Sequence, residues 1–196
     1  QFLRSLPVNT EGFNNLYLMP TSGTRFFAWQ GDWVEKYKEE LSPNEKKLIM
    51  EALHSILNQR GLDKPAQVYG QLIEDRGSQI TFSVLGQEAP LNLKEKWDPT
   101  HEKREKVIEL LKPKLPQFDI RIGGTTSIDI THRGMNKAYG IHKLEQYLGI
   151  PLADMVFIGD ALFYGGNDYP VKATGIDCVE VKGPEETEQL IKTWFE

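Results

Sequence analysis

The sequence predicts an α/β protein built in two parts. An α+β module with an open-faced sheet carrying two helices comes first, and a shorter segment of parallel α/β rhythm follows. Three observations carry this. Two helices with amphipathic spacing alternate with short strands of period two up to Ile130. Composition shifts near Thr131. Beyond it, a helix over 136–148 runs into Met155-Val156-Phe157-Ile158, a continuously apolar strand of the kind buried in parallel sheets.

The elements follow in order. Asn15 to Met19 reads as a short strand closed by Pro20. Thr24 to Trp29 and Trp33 to Tyr37 flank Gln30-Gly31-Asp32, a hairpin turn. Ser42 is an N-cap, Pro43 sits at the first helical position and Glu45 completes a capping box. Leu48, Ile49, Ala52, Leu53, Ile56 and Leu57 then share a face, and Gly61 stops the helix. Gln79 to Leu85 alternates, with Ile80, Phe82 and Val84 on one side. A second helix is expected from Asp98-Pro99, carrying Val107, Ile108, Leu110 and Leu111 and ended by Pro113 and Pro116. The mixed charges of 94–106 read as a solvated surface. Phe118 to Ile122 and Ser127 to Ile130 are strands. In the last part, Ala138, Ile141, Leu144 and Leu148 point inward from the helix over 136–148. Cys178 to Val181 is a strand, and a helix over 185–195 closes the sequence. Two parallel strands are too few to stand alone, so this part reads as a portion of a larger doubly wound domain.

Composition narrows the function. The 196 residues carry 23 Lys+Arg against 28 Asp+Glu, a net charge of −5. Sequence-independent nucleic-acid binding rests on neutralising phosphates, so no nucleic-acid partner is expected. The single cysteine, Cys178, excludes an internal disulfide framework and suits a reducing, cytoplasmic setting. No apolar run approaches the ~18 residues of a membrane span.

Chemistry concentrates in Phe157-Ile158-Gly159-Asp160-Ala161-Leu162-Phe163-Tyr164-Gly165-Gly166-Asn167-Asp168. Ligands of doubly wound folds bind beyond the carboxyl ends of strands, which is where Asp160 projects. Asp168 returns a second carboxylate after a Gly-Gly turn. Two carboxylates beside a phosphate suit Mg²⁺, which takes hard oxygen ligands and keeps several waters. Lys137 starts a helix, where the macrodipole disfavours a cation, so something anionic is expected opposite it. Arg76 could bind an anion or pair with a neighbouring acid. Ser127, Asp129 and His132 contain the residue types of a hydrolytic triad, but no nucleophile elbow is present.

These motifs resemble the haloacid dehalogenase superfamily of phosphotransferases. Gly159-Asp160 with Gly165-Gly166-Asn167-Asp168, preceded by Asn136-Lys137-Ala138-Tyr139-Gly140-Ile141, carries the likeness. Within the superfamily the pattern is similar to eukaryotic-type phosphomannomutases and related sugar-phosphate phosphatases. Ile122 to Ile130 is similar to their sugar-contacting strand, and Ile73 to Gln87 to a cap segment. The resemblance implies a partial Rossmann-like core plus an α+β cap: 1–14 as the end of an N-terminal core portion, 15–125 as cap and 126–196 as the C-terminal part of the core. It implies an aspartyl-phosphate formed by an Asp nucleophile, with Mg²⁺ as cofactor. Lys137 and Asp160 would be catalytic, Asp160 and Asp168 would serve the metal, and Arg76, Ser127, Asp129 and Asn167 would contact a phosphorylated sugar.

Two departures matter. No Asp-x-Asp occurs in the sequence, so the nucleophile is expected upstream of Gln1, and these residues alone are expected to be inactive. Gln1 to Leu6 reads as the tail of a helix already under way. Gln87 stands where phosphomannomutases carry an Arg, and a neutral side chain cannot replace a guanidinium on phosphate. The expected activity is therefore a phosphatase, with a phosphomannomutase or an inactive binding relative as alternatives. The exposed cap sheet, with Trp29 and Trp33 nearby, could pair two copies into a homodimer, although those tryptophans also suit core packing.

Overall fold

A computed structural model describes residues 10–57 and 65–194. They form two compact units that divide at Gly134 and Met135. Composition shifts near Thr131, and the resemblance implies a boundary at 125/126. The difference has a simple cause: the strand over Ser127–His132 is hydrogen-bonded between two strands of the first unit.

The first unit holds two sheets, where the sequence predicts one. β1 (Tyr17–Leu18), β2 (Arg25–Trp29) and β3 (Trp33–Lys38) form an antiparallel three-stranded sheet in that order. The predicted hairpin turn is there, with Gln30 N–H donating to the Asp32 carbonyl at 2.9 Å and Gly31 at φ +82°. Between β1 and β2 lies α1 (Pro20–Gly23), a single turn. Phe13 is buried against Trp29 and Trp33, with ring centroids 4.9 and 5.6 Å away. Phe13, just before β1, thus packs into this unit, and both tryptophans are used in that packing. Residues 1–6 and Gly61 lie outside the described residues.

α2 (Pro43–Leu57) begins with the predicted box. Ser42 N–H donates to Glu45 Oε2 at 2.7 Å, and Glu45 N–H donates back to Ser42 Oγ at 3.3 Å. Glu45 is held below the usual carboxylate range, first by the Ser42 N–H and then by its hydroxyl. Ile49, Ala52, Leu53 and Ile56 are buried, but Leu48 is exposed. The buried stripe is narrower than the sequence reading, with exposed Leu48 and half-buried Leu57 on its two flanks.

β4 (Ile73–Asp75), β5 (Gln79–Ser83), β6 (Phe118–Ile122) and β7 (Ser127–His132) make the second sheet, antiparallel in the order β4-β5-β7-β6. Its apolar face presents Ile80, Phe82, Ile128, Ile130 and Phe118 to α2 and to α4 (Glu102–Leu111), and these form the unit's core. Its other face is polar: Thr81, Asp129 and Arg121 lie side by side in register, with Gln79 and Thr131 in the next row.

The charged stretch 94–106 departs most from expectation. Leu91–Trp97 forms a helix, α3. α4 starts at Glu102 rather than at Pro99, after His101 in a left-handed conformation. Asp98 still caps it, accepting from the N–H groups of Lys103 (3.0 Å) and Arg104 (3.1 Å). Asp98 and Arg104 are both buried, not solvated.

The second unit contains α5 (Lys137–Leu148), β8 (Val156–Gly159), α6 (Tyr169–Lys172), β9 (Asp177–Glu180) and α7 (Pro184–Thr193). β8 and β9 pair in parallel, as predicted. Asn136 caps α5 through Tyr139 N–H at 3.1 Å, and Gly149 ends it at φ +68°. Ala138, Ile141, Leu144 and Leu148 are half-buried rather than core, and Val156 is exposed.

Candidate functional site

The site in the second unit is built where β8 ends. Gly159 closes the strand, and a Cβ there would lie 2.5 Å from Asp168 Oδ2 and 2.7 Å from the Phe157 ring. Asp168 therefore packs on bare backbone. The loop between them is tied shut at its neck. Asp168 N–H donates to the Ala161 carbonyl at 3.2 Å, and Ala161 N–H donates to Asp168 Oδ2 at 3.1 Å. Gly165 adopts φ +88°, and a Cβ on Gly166 would collide with the Ala161 carbonyl. The two glycines are thus a requirement of the turn that returns Asp168 under the strand.

Asp168 is fully buried, and its Oδ1 accepts from Lys137 Nζ. The anion that the position of Lys137 calls for is Asp168. The lysine side chain remains 36% exposed, so one buried carboxylate presents a cation to the adjacent space. That space is a cavity of about 200 Å³ lined by Lys137, Gly159, Asp160, Asp168, Gly183 and Thr187 among others. Asp160 is exposed on its edge. The start of α7 contributes Gly183 and Thr187, a wall that no local motif announced. Asn167 is exposed on the turn before Asp168.

Mg²⁺ takes hard oxygen ligands, and the site offers it few. Among the described residues no three His, Cys, Asp or Glu side chains come together as a metal cage. An ion that keeps several waters needs only one or two protein carboxylates, and exposed Asp160 fits that role. Asp168 fits it poorly, because both its oxygens are taken and it is closed from solvent.

The remaining predicted residues lie in the first unit, on the polar face of its four-stranded sheet. Asp129 Oδ1 accepts from Thr81 Oγ1 at 2.9 Å, and Gln79 Nε2 donates to that hydroxyl at 2.8 Å. Burial pushes the Asp129 carboxyl up, while the Thr81 bond and the charge of Arg76 pull it back only partly. Ser127 is two residues away on the same face and half-buried. Arg76 donates through Nε and Nη2 to Glu74 Oε2 at 2.9 and 2.7 Å, an exposed pair. Exposed pairs hold weakly, so an arriving anion can compete for this guanidinium. His132 bonds Glu45 Oε1 at 2.9 Å and Asp129 bonds Thr81, so no triad forms. The sequence reading missed Thr81 and Gln79. The polar half of the alternation over 79–83 was the available signal.

The family model described as eukaryotic phosphomannomutase matches residues 35–196. The chain belongs to the eukaryotic phosphomannomutase family. A phosphomannomutase of Dendrobium officinale is 30% identical over 156 residues, covering 76% of this chain and 58% of that protein. Phosphomannomutase 2 of Dictyostelium discoideum is 28% identical over 169 residues, covering 83% of this chain and 64% of that protein. The chain thus spans about six tenths of the length of these curated relatives. Among solved structures, the N-terminally truncated, IMP-bound IMP-nucleotidase of Plasmodium falciparum superposes with a TM-score of 0.61 at 17% identity, over 92% of this chain and 48% of that one. A member of a phosphoryl-transfer superfamily, described as conserving a trigonal-bipyramidal intermediate, gives 0.53 at 16% identity over 91% and 75%. The phosphomannomutase-family chain therefore has a mixed α/β fold like that of these solved structures. No helix among its described residues is long and apolar enough to cross a membrane.

Proposed function

We propose that this chain serves a cytoplasmic, Mg²⁺-dependent phosphotransferase that removes phosphate from a phosphorylated sugar. The first unit would be the cap and the second the C-terminal part of the core. The observation that carries the proposal is the pairing of Lys137 with fully buried Asp168 at a strand-end cavity edged by Asp160. A half-exposed ammonium fixed in this way opposes the charge of a phosphoryl group without reorganising during transfer. Asp160 would hold Mg²⁺, whose chemistry is to neutralise phosphate oxygens. Asp168 would act through Lys137 and the loop rather than as a ligand. Ser127, Asp129, Arg76 and Asn167 would contact the substrate. The aspartyl nucleophile of this route belongs to the whole protein, since no Asp-x-Asp lies among these residues.

Completion by water, as in a phosphatase, is favoured by Gln87. Its side-chain amide donates to the Thr81 carbonyl at 3.5 Å, and its own carbonyl accepts from Lys94 Nζ at 2.8 Å. A neutral side chain there cannot grip the second phosphate that a mutase must hold. The second reading is a phosphomannomutase, favoured by the names of the relatives. Homodimerisation through the first unit is proposed on β3, an edge strand with exposed Val34. Sedimentation at the monomer mass across concentrations would remove that element.

The full-length protein is the object of the activity test. Lys137→Ala and Asp160→Asn should each lower Mg²⁺-dependent phosphate release from hexose phosphates by about 10²–10³-fold, the usual loss for one transition-state charge contact. Activity within threefold of the unsubstituted protein in both variants would refute the assignment.

A further inference from the structure

We propose that Arg104 is a positioning residue for the sugar-contacting face: it pins the Gly123–Gly124 turn that walls the Asp129 carboxylate. The inference rests on the reading that Asp129 contacts a phosphorylated sugar.

The path is continuous. Arg104 and Asp98 have side chains that are each 1% exposed. Arg104 Nε donates to Asp98 Oδ2 at 2.9 Å, and Nη2 donates to the Asp98 carbonyl at 3.2 Å. Nη1 reaches two consecutive carbonyls, Gly123 at 2.9 Å and Gly124 at 2.6 Å. These carbonyls belong to the turn joining β6 to β7, which closes through Gly123 N–H donating to the Ser127 carbonyl at 2.9 Å. The turn is in contact with the binding face. A Cβ on Gly123 would stand 2.7 Å from Asp129 Oδ2 and 3.0 Å from its Cγ.

The carboxylate of Asp129 is thus bounded on two sides by different devices. Thr81, in register with it on β5, ties Oδ1. The backbone of Gly123 stands against Oδ2, and its place is set by the guanidinium. Burying an ion pair is not an efficient way to stabilise a core, since apolar replacements of similar volume often do as well or better. What the guanidinium adds is a rigid fork that joins one carboxylate to two carbonyls in fixed geometry, which lysine cannot reproduce. The burial of this arginine in a charged stretch therefore has its use at the turn.

The experiment uses the full-length protein with mannose 1-phosphate as probe. It reads the dissociation constant by calorimetry, and KM and kcat by phosphate release. Asp129→Asn is the control for the underlying reading. Arg104→Met removes the fork, and Gly123→Ala intrudes on the carboxylate while leaving Arg104 in place. The backbone of Gly123 is outside the left-handed region, so alanine is accommodated apart from that contact. Loss of binding-face geometry should raise the dissociation constant and KM about tenfold in both variants and leave kcat within about threefold, the pattern of lost uniform binding. Should Arg104→Met fail to fold by circular dichroism, Gly123→Ala decides alone. If Asp129→Asn weakens binding while the folded variants stay within twofold of the parent, the inference falls and the reading stands. An unchanged Asp129→Asn, or no binding by the parent, removes the reading and the inference together.

Discussion

Substituting the two partners of the Lys137–Asp168 pair should have unequal effects, and the inequality follows from exposure. Asp168 is 0% exposed and the Lys137 side chain 36%. In Lys137→Met a carboxylate is left buried without its cation, a change that costs about 3–5 kcal/mol. In Asp168→Asn the amide oxygen can still accept from Ala161 N–H, and the freed ammonium can turn into water. The penalty is then that of one charged hydrogen bond, about 1.5–3 kcal/mol at most, reduced further by the exposure of the lysine. For a chain of 196 residues each kcal/mol corresponds to about 2–4 °C in Tm. Lys137→Met should therefore lower Tm by about 6–20 °C and Asp168→Asn by less than half as much. Differential scanning calorimetry of both variants at pH 7 measures this. Equal losses, or a larger loss in Asp168→Asn, would refute the argument that the buried partner is held by the exposed one.

Three further outcomes are expected. Burial raises the pKa of Asp98, but the Arg104 bond and the N–H groups of Lys103 and Arg104 outweigh it, so the carboxyl is held low. A lowered carboxyl contributes stability above its unfolded value, about 4, which is lost as pH falls through the folded value. Asp98→Asn should thus be less stable at pH 7 yet lose less between pH 5 and 2.5, and parallel acid limbs in a Tm series would contradict this. Leu111→Ala, at a fully buried site, should cost about 2–5 kcal/mol in urea unfolding. Leu48→Ala, at an exposed site, should stay within about 0.5 kcal/mol, and similar losses for the two would contradict the observed helix phases. Arg76→Ala breaks only an exposed pair, so stability should move by less than about 1 kcal/mol while KM for a hexose phosphate rises. An unchanged KM would remove Arg76 from the site.

Local signals were the most legible. The Ser42–Glu45 box, the Gly31 hairpin and the apolar run into Gly159-Asp160 each depend on neighbours within a few residues, and each is found where the sequence places it. Long-range partnerships were not legible. Nothing near Asp168 announces that Lys137, 31 residues earlier, takes its oxygen. Nothing in β2 and β3 tells that they form a sheet apart from β5. The buried Arg104 did leave a trace: residues 104, 107, 108 and 111 share a helical stripe, so the arginine continues the face of Val107, Ile108 and Leu111. Charge in the flanking residues hid that spacing. Leu48 shows the reverse error, an apolar residue assigned inward by type although its phase lies at the edge of the stripe.

Phosphorus NMR of the full-length protein with mannose 1-phosphate, with and without Mg²⁺, separates phosphate release from phosphate migration. Orthophosphate should accumulate only with Mg²⁺, and Asp160→Asn should slow its accumulation by about 10²–10³-fold. Conversion to mannose 6-phosphate without orthophosphate would overturn the phosphatase reading in favour of a mutase, and an unchanged spectrum would contradict phosphoryl transfer from this sugar altogether.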